Sequence, residues 1–299
     1  MSDREALLVT HTGRRVNTAH ARAVAVQLAD AGFGIRILEE EGEELQIPGA
    51  RVVAGPDAAD GVEIVLALGG DGTVLRAAEL ARPAGAALLG VNLGHVGFLA
   101  EAELSDLEFT VRTVVDCTYT VDERLTVDVD VYRDGEVCAS SWALNEVSVE
   151  KANRARMLQV LVTVDGRPLS RWGADGVVCA TPTGSTAYAF SAGGPIVWPE
   201  VEALLLVPIS AHALFGRPLV AAPTSVFTVD LLPESTPGVM WCDGRRTVDL
   251  LPGDRVEVRR GALPVHVVRL RPQPFTDRLV AKFGLPVQGW RGGSTDEHA

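Results

Sequence analysis

Three short stretches of the chain hold residue types that could do chemistry. The first is LALGGDGTVLRAAEL, residues 66–80, where Gly69, Gly70 and Gly72 flank a single carboxylate, Asp71. Glycines let a backbone approach a ligand closely. A carboxylate beside a phosphate either coordinates Mg2+ or takes a proton from a hydroxyl. Taken alone, the box reads equally as a nucleotide loop or as a tight strand-to-helix turn. It fails the dinucleotide spacing GxGxxG, because from Gly70 the third glycine position is Leu75.

The second stretch is GADGVVCATPTGSTAYAFSAGGPIV, residues 173–197. Small residues allow a ligand to lie against backbone, hydroxyls and amides can read a base edge, and Tyr188 can stack on it. A flexible Ser/Gly loop is the alternative, but VVCA and PIVW hold the stretch at both ends. The third is WALNEVSVE, residues 142–150. Glu146 could grip a ribose diol and Asn145 a base or hydroxyl; a solvated strand start is the bland alternative. In a regular strand the two side chains point to opposite faces, so a shared site needs a bend there.

These boxes need elements to position them. In the first third, apolar runs at 6–10, 34–39, 62–68 and 86–92 alternate with helical patterns at 17–32 and 73–82, with an acidic, loop-like stretch over 39–60. Runs apolar on both faces, alternating with helices, predict a parallel sheet covered by helices. The glycine box then falls between strand and helix, where open α/β sheets bind ligands and a helix offers free N–H groups to an anion. From residue 120 the pattern changes to period two, with Asp-Gly turns at 134–135, 165–166 and 243–244. These are hairpin signals. Residues 120–271 read as an antiparallel β domain, and the helical tail 275–285 is expected to pack back on the first domain, 1–119.

Composition narrows the classes. The 299 residues are 47% hydrophobic with net charge −12, an ordinary globular composition that disfavours non-specific nucleic-acid binding. The lysines are Lys151 and Lys282, and no Gly-Lys pair exists, so a Walker A loop is excluded. Cys117, Cys138, Cys179 and Cys242 form no CxxC pair and read as buried, inert thiols of a reducing cytoplasm. No signal peptide and no apolar run of membrane-spanning length is present, so no membrane partner is expected.

GGDGT at 69–73, NE at 145–146, DG at 175–176, TPTGSTAY at 181–188 and SAGGPI at 191–196 stand in the order found in NAD kinases. LGVNLGHVGFLAE (89–101) and PISAHALFGRPLV (208–220) extend the likeness over nearly the whole chain. The chain resembles the NAD kinase family, in its actinobacterial ATP/polyphosphate form. GGDGT alone is also carried, in related form, by diacylglycerol kinases and phosphofructokinases; the five boxes together are specific. The resemblance implies an α/β N-terminal domain with a Rossmann-like parallel sheet, joined to an all-β, sandwich-like second domain. It implies phosphorylation of the 2′-hydroxyl of the adenosine ribose of NAD by ATP or polyphosphate, with a divalent metal, Mg2+ foremost. Its metal ligands are not implied.

By the same resemblance Asp71 is the general base, and Gly69, Gly70, Gly72 and Thr73 form the phosphate-donor loop. Gly72 also approaches the ribose, Asn145 and Glu146 bind polar groups of NAD, and Asp175 serves the nicotinamide side, across a subunit boundary. Thr186, Ala187, Tyr188 and Ser191 match the adenine-reading loop, and Arg76, Arg156 and Arg245 match NAD or phosphate contacts. Ala174 stands where relatives often carry a charged or polar residue, and Arg245 where others carry glutamine or other residues; the Arg245 departure bears on preference for NAD against NADP or NADH. A homodimer or homotetramer is expected, with the apolar run 201–220 at its interface. Among rivals, an oxidoreductase is opposed by the failed GxGxxG, and a lipid kinase by the TPTGSTAY loop. A silent nucleotide sensor has no need of Asp71.

Overall fold

The four apolar runs of the first third pair side by side, because strands apolar on both faces must be covered on both faces. A computed structural model describes residues 4–10, 15–92, 97–103, 106–154, 156–271 and 273–287. Residues 93–96 of the LGVNLGHVGFLAE stretch and 288–299 of the tail lie outside the described residues. The chain divides into two compact units, one drawn from Met1–Asp122 and His266–Ala299, the other from Glu123–Val265.

In the first unit the elements run β1 (Glu5–Thr10), α1 (Arg15–Asp30), β2 (Gly34–Leu38), α2 (Glu39–Leu45), β3 (Arg51–Val53), β4 (Ile64–Leu68), α3 (Asp71–Ala84), β5 (Ala87–Asn92), β6 (Ala102–Glu103), α4 (Leu107–Val115) and β7 (Thr120–Arg124). The sheet order is β3-β2-β1-β4-β5, continued by the strand Val265–Arg269 and then β7, with β6 also on β5. β1 to β5 are parallel throughout. The order reverses between β1 and β4, so the carboxyl ends of these two strands flank the crevice where such sheets bind ligands. The core is dense in fully buried residues such as Leu8, Leu28, Leu66 and Leu89.

Two expectations are corrected here. The acidic stretch 39–60 is not a loop: it holds α2 and β3. Glu39, Glu40 and Glu41 occupy the first turn of α2, where negative charge complements the helix dipole. Glu41 and Leu45, four apart, face inward and are buried. The strand Val265–Arg269 and β7, read as parts of the β domain, belong instead to the first sheet. An alternating strand such as VHVVRL suits either sheet; pairing of Val267 with Leu88 of β5 decides.

The second unit runs β8 (Val127–Arg133), β9 (Glu136–Ala143), β10 (Glu146–Lys151), β11 (Leu158–Val164), β12 (Arg167–Ala174), β13 (Gly176–Ala180), the short helix α5 (Tyr188–Ser191), β14 (Leu204–Ile209), β15 (Leu219–Ala221), β16 (Phe227–Leu231), β17 (Gly238–Cys242), β18 (Arg246–Leu250) and β19 (Arg255–Arg260). Two six-stranded sheets form, β15-β14-β13-β10-β17-β18 and β12-β11-β16-β19-β8-β9. Inward residues of both sheets share one core, including Val129, Val149, Trp172, Phe227 and Met240, which makes a sandwich. The three Asp-Gly turns close hairpins, with Asp134, Asp165 and Asp243 at φ 53°, 50° and 54°. That left-handed backbone is what Asp-Gly tolerates. The cysteines are free, and Cys179 and Cys242 are buried with thiols pushed up to about 12 and about 11, chiefly by burial. Cys117 and Cys138, expected to be buried, are exposed. The chain returns to the first unit and ends, among described elements, in α6 (Phe275–Phe283).

Candidate active site

In the first unit, β4 ends at Leu68 and α3 starts at Asp71, with Gly70 as the N-cap residue. Asp71 therefore stands in the first helical turn, not on a loop crest. None of Gly69, Gly70 and Gly72 has a positive φ. Gly69 is required by packing, since a Cβ there would lie 2.3 Å from Thr73 Oγ1. Gly70 and Gly72 differ: a Cβ on either would meet nothing within 4 Å among the described residues. Two bare backbone positions thus flank Asp71 at the positive end of a helix, which is a surface suited to phosphate.

The Asp71 carboxylate accepts hydrogen bonds from the backbone N–H groups of Phe98 (3.2 Å) and Leu99 (3.1 Å). Gly97 packs against it so closely that a Cβ would lie 2.3 Å from Oδ1. Arg76, one turn further along α3, is heavily paired. It donates to Glu40 Oε1 (3.0 Å) and to the Thr10 carbonyl (3.1 Å), and forms an ion pair with the buried Glu41. Glu41 in turn accepts from the Thr10 N–H. Arg76 thereby ties α2 and α3 to the end of β1.

In the second unit, the chain bends at Leu144–Asn145 before β10 begins at Glu146. That bend is the one a shared Asn-Glu site requires. Asp243, a residue the sequence reading treated only as part of a hairpin turn, makes it. Its carboxylate accepts from the Leu144 N–H (3.0 Å) and the Asn145 N–H (2.7 Å) and pairs with Arg246 (2.8 Å). The Asp243 N–H donates to the Glu146 carbonyl at 3.0 Å. A buried acceptor among exposed turn residues leaves no pattern in sequence, so only an Asp-Gly hairpin was legible.

The TPTGSTAY stretch docks on the same corner. Thr181 donates from N–H to the Asn145 carbonyl (2.9 Å) and from Oγ1 to the Leu144 carbonyl (2.6 Å). Gly184 lies flat on the corner, since a Cβ there would sit 2.0 Å from the Asn145 carbonyl oxygen. Ser185 exchanges hydrogen bonds with Val197 backbone, 3.1 Å and 2.9 Å, closing the far end. The stretch is therefore held by structure: a turn of 3-10 helix at Thr183–Thr186, then α5. Thr186, Ala187 and Tyr188 are half-buried and Ser191 is exposed.

Asn145 and Glu146 are each 7% exposed, and Asn145 Oδ1 and Glu146 Oε2 are buried without a hydrogen-bond partner. Buried oxygens of this kind are rare and call for a ligand or water. Burial pushes the Glu146 carboxyl up to about 8, the Asp243 charge adds to this, and a hydrogen bond from the Tyr188 N–H opposes it. The Tyr188 hydroxyl is also raised, chiefly by burial and then by the charge of Glu150, to which it is hydrogen-bonded. Asp175, between β12 and β13, forms an ion pair with Lys151. Arg156 and Arg245 lie exposed in loops, while the neighbouring Arg246 stacks its guanidinium 4.6 Å from the Trp142 ring centroid. The structure thus brings Asn145, Glu146 and Tyr188 together and leaves Arg156 and Arg245 on the surface.

The chain matches the family model of the ATP-NAD kinase N-terminal domain over residues 7–119 and that of the ATP-NAD kinase C-terminal domain over residues 144–270. It is 59% identical over 305 residues to the NAD kinase of Thermobifida fusca, covering 99% of this chain and 94% of the relative. It is 58% identical over 292 residues to NAD kinase 2 of Streptomyces coelicolor, covering 97% of each. Among solved structures, yeast NADH kinase complexed with NADH superposes with a TM-score of 0.87 at 22% identity, covering 97% of this chain and 90% of that one, a likeness of fold. An NAD kinase from Archaeoglobus fulgidus in complex with ATP gives 0.70 at 26% identity, covering 93% and 98%. With both halves of the family matched over most of its length, this chain belongs to the NAD kinase family.

Proposed function

We propose that this chain transfers the terminal phosphoryl group of ATP, or of polyphosphate, to the 2′-hydroxyl of the adenosine ribose of NAD, giving NADP. The observation that carries the reading is the pair of buried, unpartnered oxygens, Asn145 Oδ1 and Glu146 Oε2. Ribose hydroxyls are donors that would satisfy both. Tyr188, half-buried beside Glu146, offers a face for the adenine, with Thr186, Ala187 and Ser191 supplying its polar edge. Asp175, Arg156 and Arg245 are the further contacts with NAD in this reading.

Phosphoryl transfer asks for positioning and charge neutralisation more than covalent chemistry. Asp71 takes the proton of the 2′-hydroxyl as its oxygen bonds to phosphorus and the donor's bridging oxygen leaves with its electron pair. A positioned base contributes roughly 10²–10⁴ in rate. The open backbone at Gly70 and Gly72, with Gly69 and Thr73 shaping the turn, receives the donor phosphates. Arg76, matched by resemblance to NAD or phosphate contacts, also steadies the floor of this loop through Glu40, Glu41 and Thr10.

A divalent ion, Mg2+ foremost, fits this site as a passenger on the donor phosphates. Among the described residues no three His, Cys, Asp or Glu side chains gather into a metal site, and Mg2+ needs few protein ligands when phosphates supply the rest. When bound, such an ion would neutralise phosphate charge, leaving Asp71 to take the proton.

A homodimer or homotetramer is part of the proposal. The apolar run 201–220 divides: Leu204–Val207 are buried in β14, whereas Leu214 and Phe215 are exposed, as are Trp198, Val201 and Val220 nearby in sequence. Exposed apolar residues in this number suit a subunit contact. No helix among the described residues is long and apolar enough to cross a membrane. A cytoplasmic location remains the expectation, checked by fractionation. The test of function is to incubate the purified chain with NAD, Mg2+ and either ATP or polyphosphate and to assay NADP. Asp71→Asn should keep NAD affinity and lose most turnover; turnover near wild type would remove Asp71 from the role of base.

A further inference from the structure

The carboxylate of Asp71 is aimed by a loop, and that loop is itself held from behind. Residues 97–101 present the Phe98 and Leu99 N–H groups to Asp71. The carbonyls of Phe98 and Ala100 are held from α6. There Arg278, only 5% exposed, donates from Nη1 to the carbonyls of Phe98 (3.2 Å) and Ala100 (3.1 Å). Its Nη2 pairs with Glu101, whose side chain is 2% exposed and also accepts from Arg269. The Glu101 N–H donates to the Gly90 carbonyl of β5 at 2.8 Å. The Phe98 ring lies between Phe275 and Phe283 of α6, centroids 6.2 and 5.7 Å away.

We infer that Arg278 is a positioning residue for the phosphoryl transfer: by gripping the Phe98 and Ala100 carbonyls it fixes the two amides that orient the Asp71 carboxylate. The inference rests on the reading of Asp71 as base. Asp71 sits in the first turn of α3. The two N–H groups engage both carboxylate oxygens and fix their orientation. A planar guanidinium can span two carbonyls and a carboxylate at once, whereas an ammonium cannot hold the same fork. Among the described residues, Arg278 is thus the side chain that connects the loop carbonyls, Glu101 and α6. It never touches the reacting atoms in this arrangement; its effect passes through the loop.

The test uses the full chain with two substitutions. Arg278→Lys keeps the charge beside Glu101 and removes the fork. Gly97→Ala leaves Arg278 in place but puts a Cβ 2.3 Å from Asp71 Oδ1, displacing the carboxylate directly. Misplacing a catalytic group by about 1 Å costs on the order of 100-fold. Both variants should therefore lose roughly 10- to 100-fold in kcat, with KM for NAD within about two-fold of wild type. In an Asp71→Asn background, Arg278→Lys should cost nothing further, and an equal loss there would show a merely structural role. Wild-type kcat in Arg278→Lys overturns the inference. Hydrogen exchange over residues 97–101 gives a reading independent of activity: protection should fall in Arg278→Lys, and unchanged protection overturns the loop-holding step. If Asp71→Asn alone keeps its rate, the assignment of the base fails, and the exchange result still decides what Arg278 does.

Discussion

Removing the acid at Glu146 should change how stability depends on pH. In the folded protein its carboxyl is raised from 4.5 to about 8, chiefly by burial and then by the nearby Asp243 charge. Between those two values the folded state keeps a proton that the unfolded chain has released. Stability therefore falls as pH rises through that window and levels off above about 8. At about 1.4 kcal/mol per pH unit, the full shift amounts to roughly 5 kcal/mol. Glu146→Gln keeps the shape and hydrogen-bonding capacity of the neutral acid and has no proton to lose. Urea unfolding of both proteins at pH 5, 6.5 and 8.5 measures the difference. The wild type should lose several kcal/mol more than the variant between the lowest and highest pH, because other titrating groups are common to both. Parallel pH profiles would refute the reasoning. Saturating NAD should reduce the wild-type loss, since ribose hydroxyls would donate to Glu146 Oε2, which has no hydrogen-bond donor among the described residues.

Three further outcomes are expected. Tyr188→Ala should raise KM for NAD and leave kcat near wild type, because stacking binds ground and transition states alike; an unchanged KM removes the stacking role. Gly184→Ala drives a Cβ to 2.0 Å from the Asn145 carbonyl oxygen and should lift the loop from the corner, costing about 1–3 kcal/mol in urea unfolding and weakening NAD binding measured by calorimetry. Full affinity in that variant would mean that the loop need not lie on Asn145. Dilution should lower specific activity as subunits part, and a fully active species of the 31.7 kDa chain mass in light scattering would rule out a shared site.

Much of the architecture was legible because it follows from local rules. Apolar runs separated by helical patterns led to the parallel sheet of β1, β2, β4 and β5. Asp-Gly pairs at 134, 165 and 243 marked hairpins, since few other dipeptides accept left-handed backbone so readily. The stretch 39–60 was misread because its charge and glycines suit a loop. Its helix is held instead by the burial of Glu41 against Thr10 and Arg76, residues far away along the chain. The strand Val265–Arg269 was placed in the wrong unit for a related reason: alternation reports that a strand has two faces, not which sheet it joins.

The same division runs through the candidate site. Residue type raised Asp71, Asn145, Glu146 and Tyr188 as candidates, because a carboxylate among glycines and a hydroxyl-rich loop between apolar flanks are chemical signals written in consecutive residues. Taken singly, a tight turn or a solvated strand start explained Asp71 and the Asn-Glu pair equally well, and the order of the boxes, shared with the NAD kinase family, decided between them. What each glycine in GGDG does was decided only in three dimensions, where Gly69 makes room for Thr73 while Gly70 and Gly72 leave open surface. The supports were invisible in the same way. Asp243 lies 98 residues from Asn145, and Arg278 lies 180 residues from Phe98. A buried side chain that holds a distant backbone leaves no periodicity and no spacing to read, because its partners are chosen by folding and not by neighbourhood in the chain.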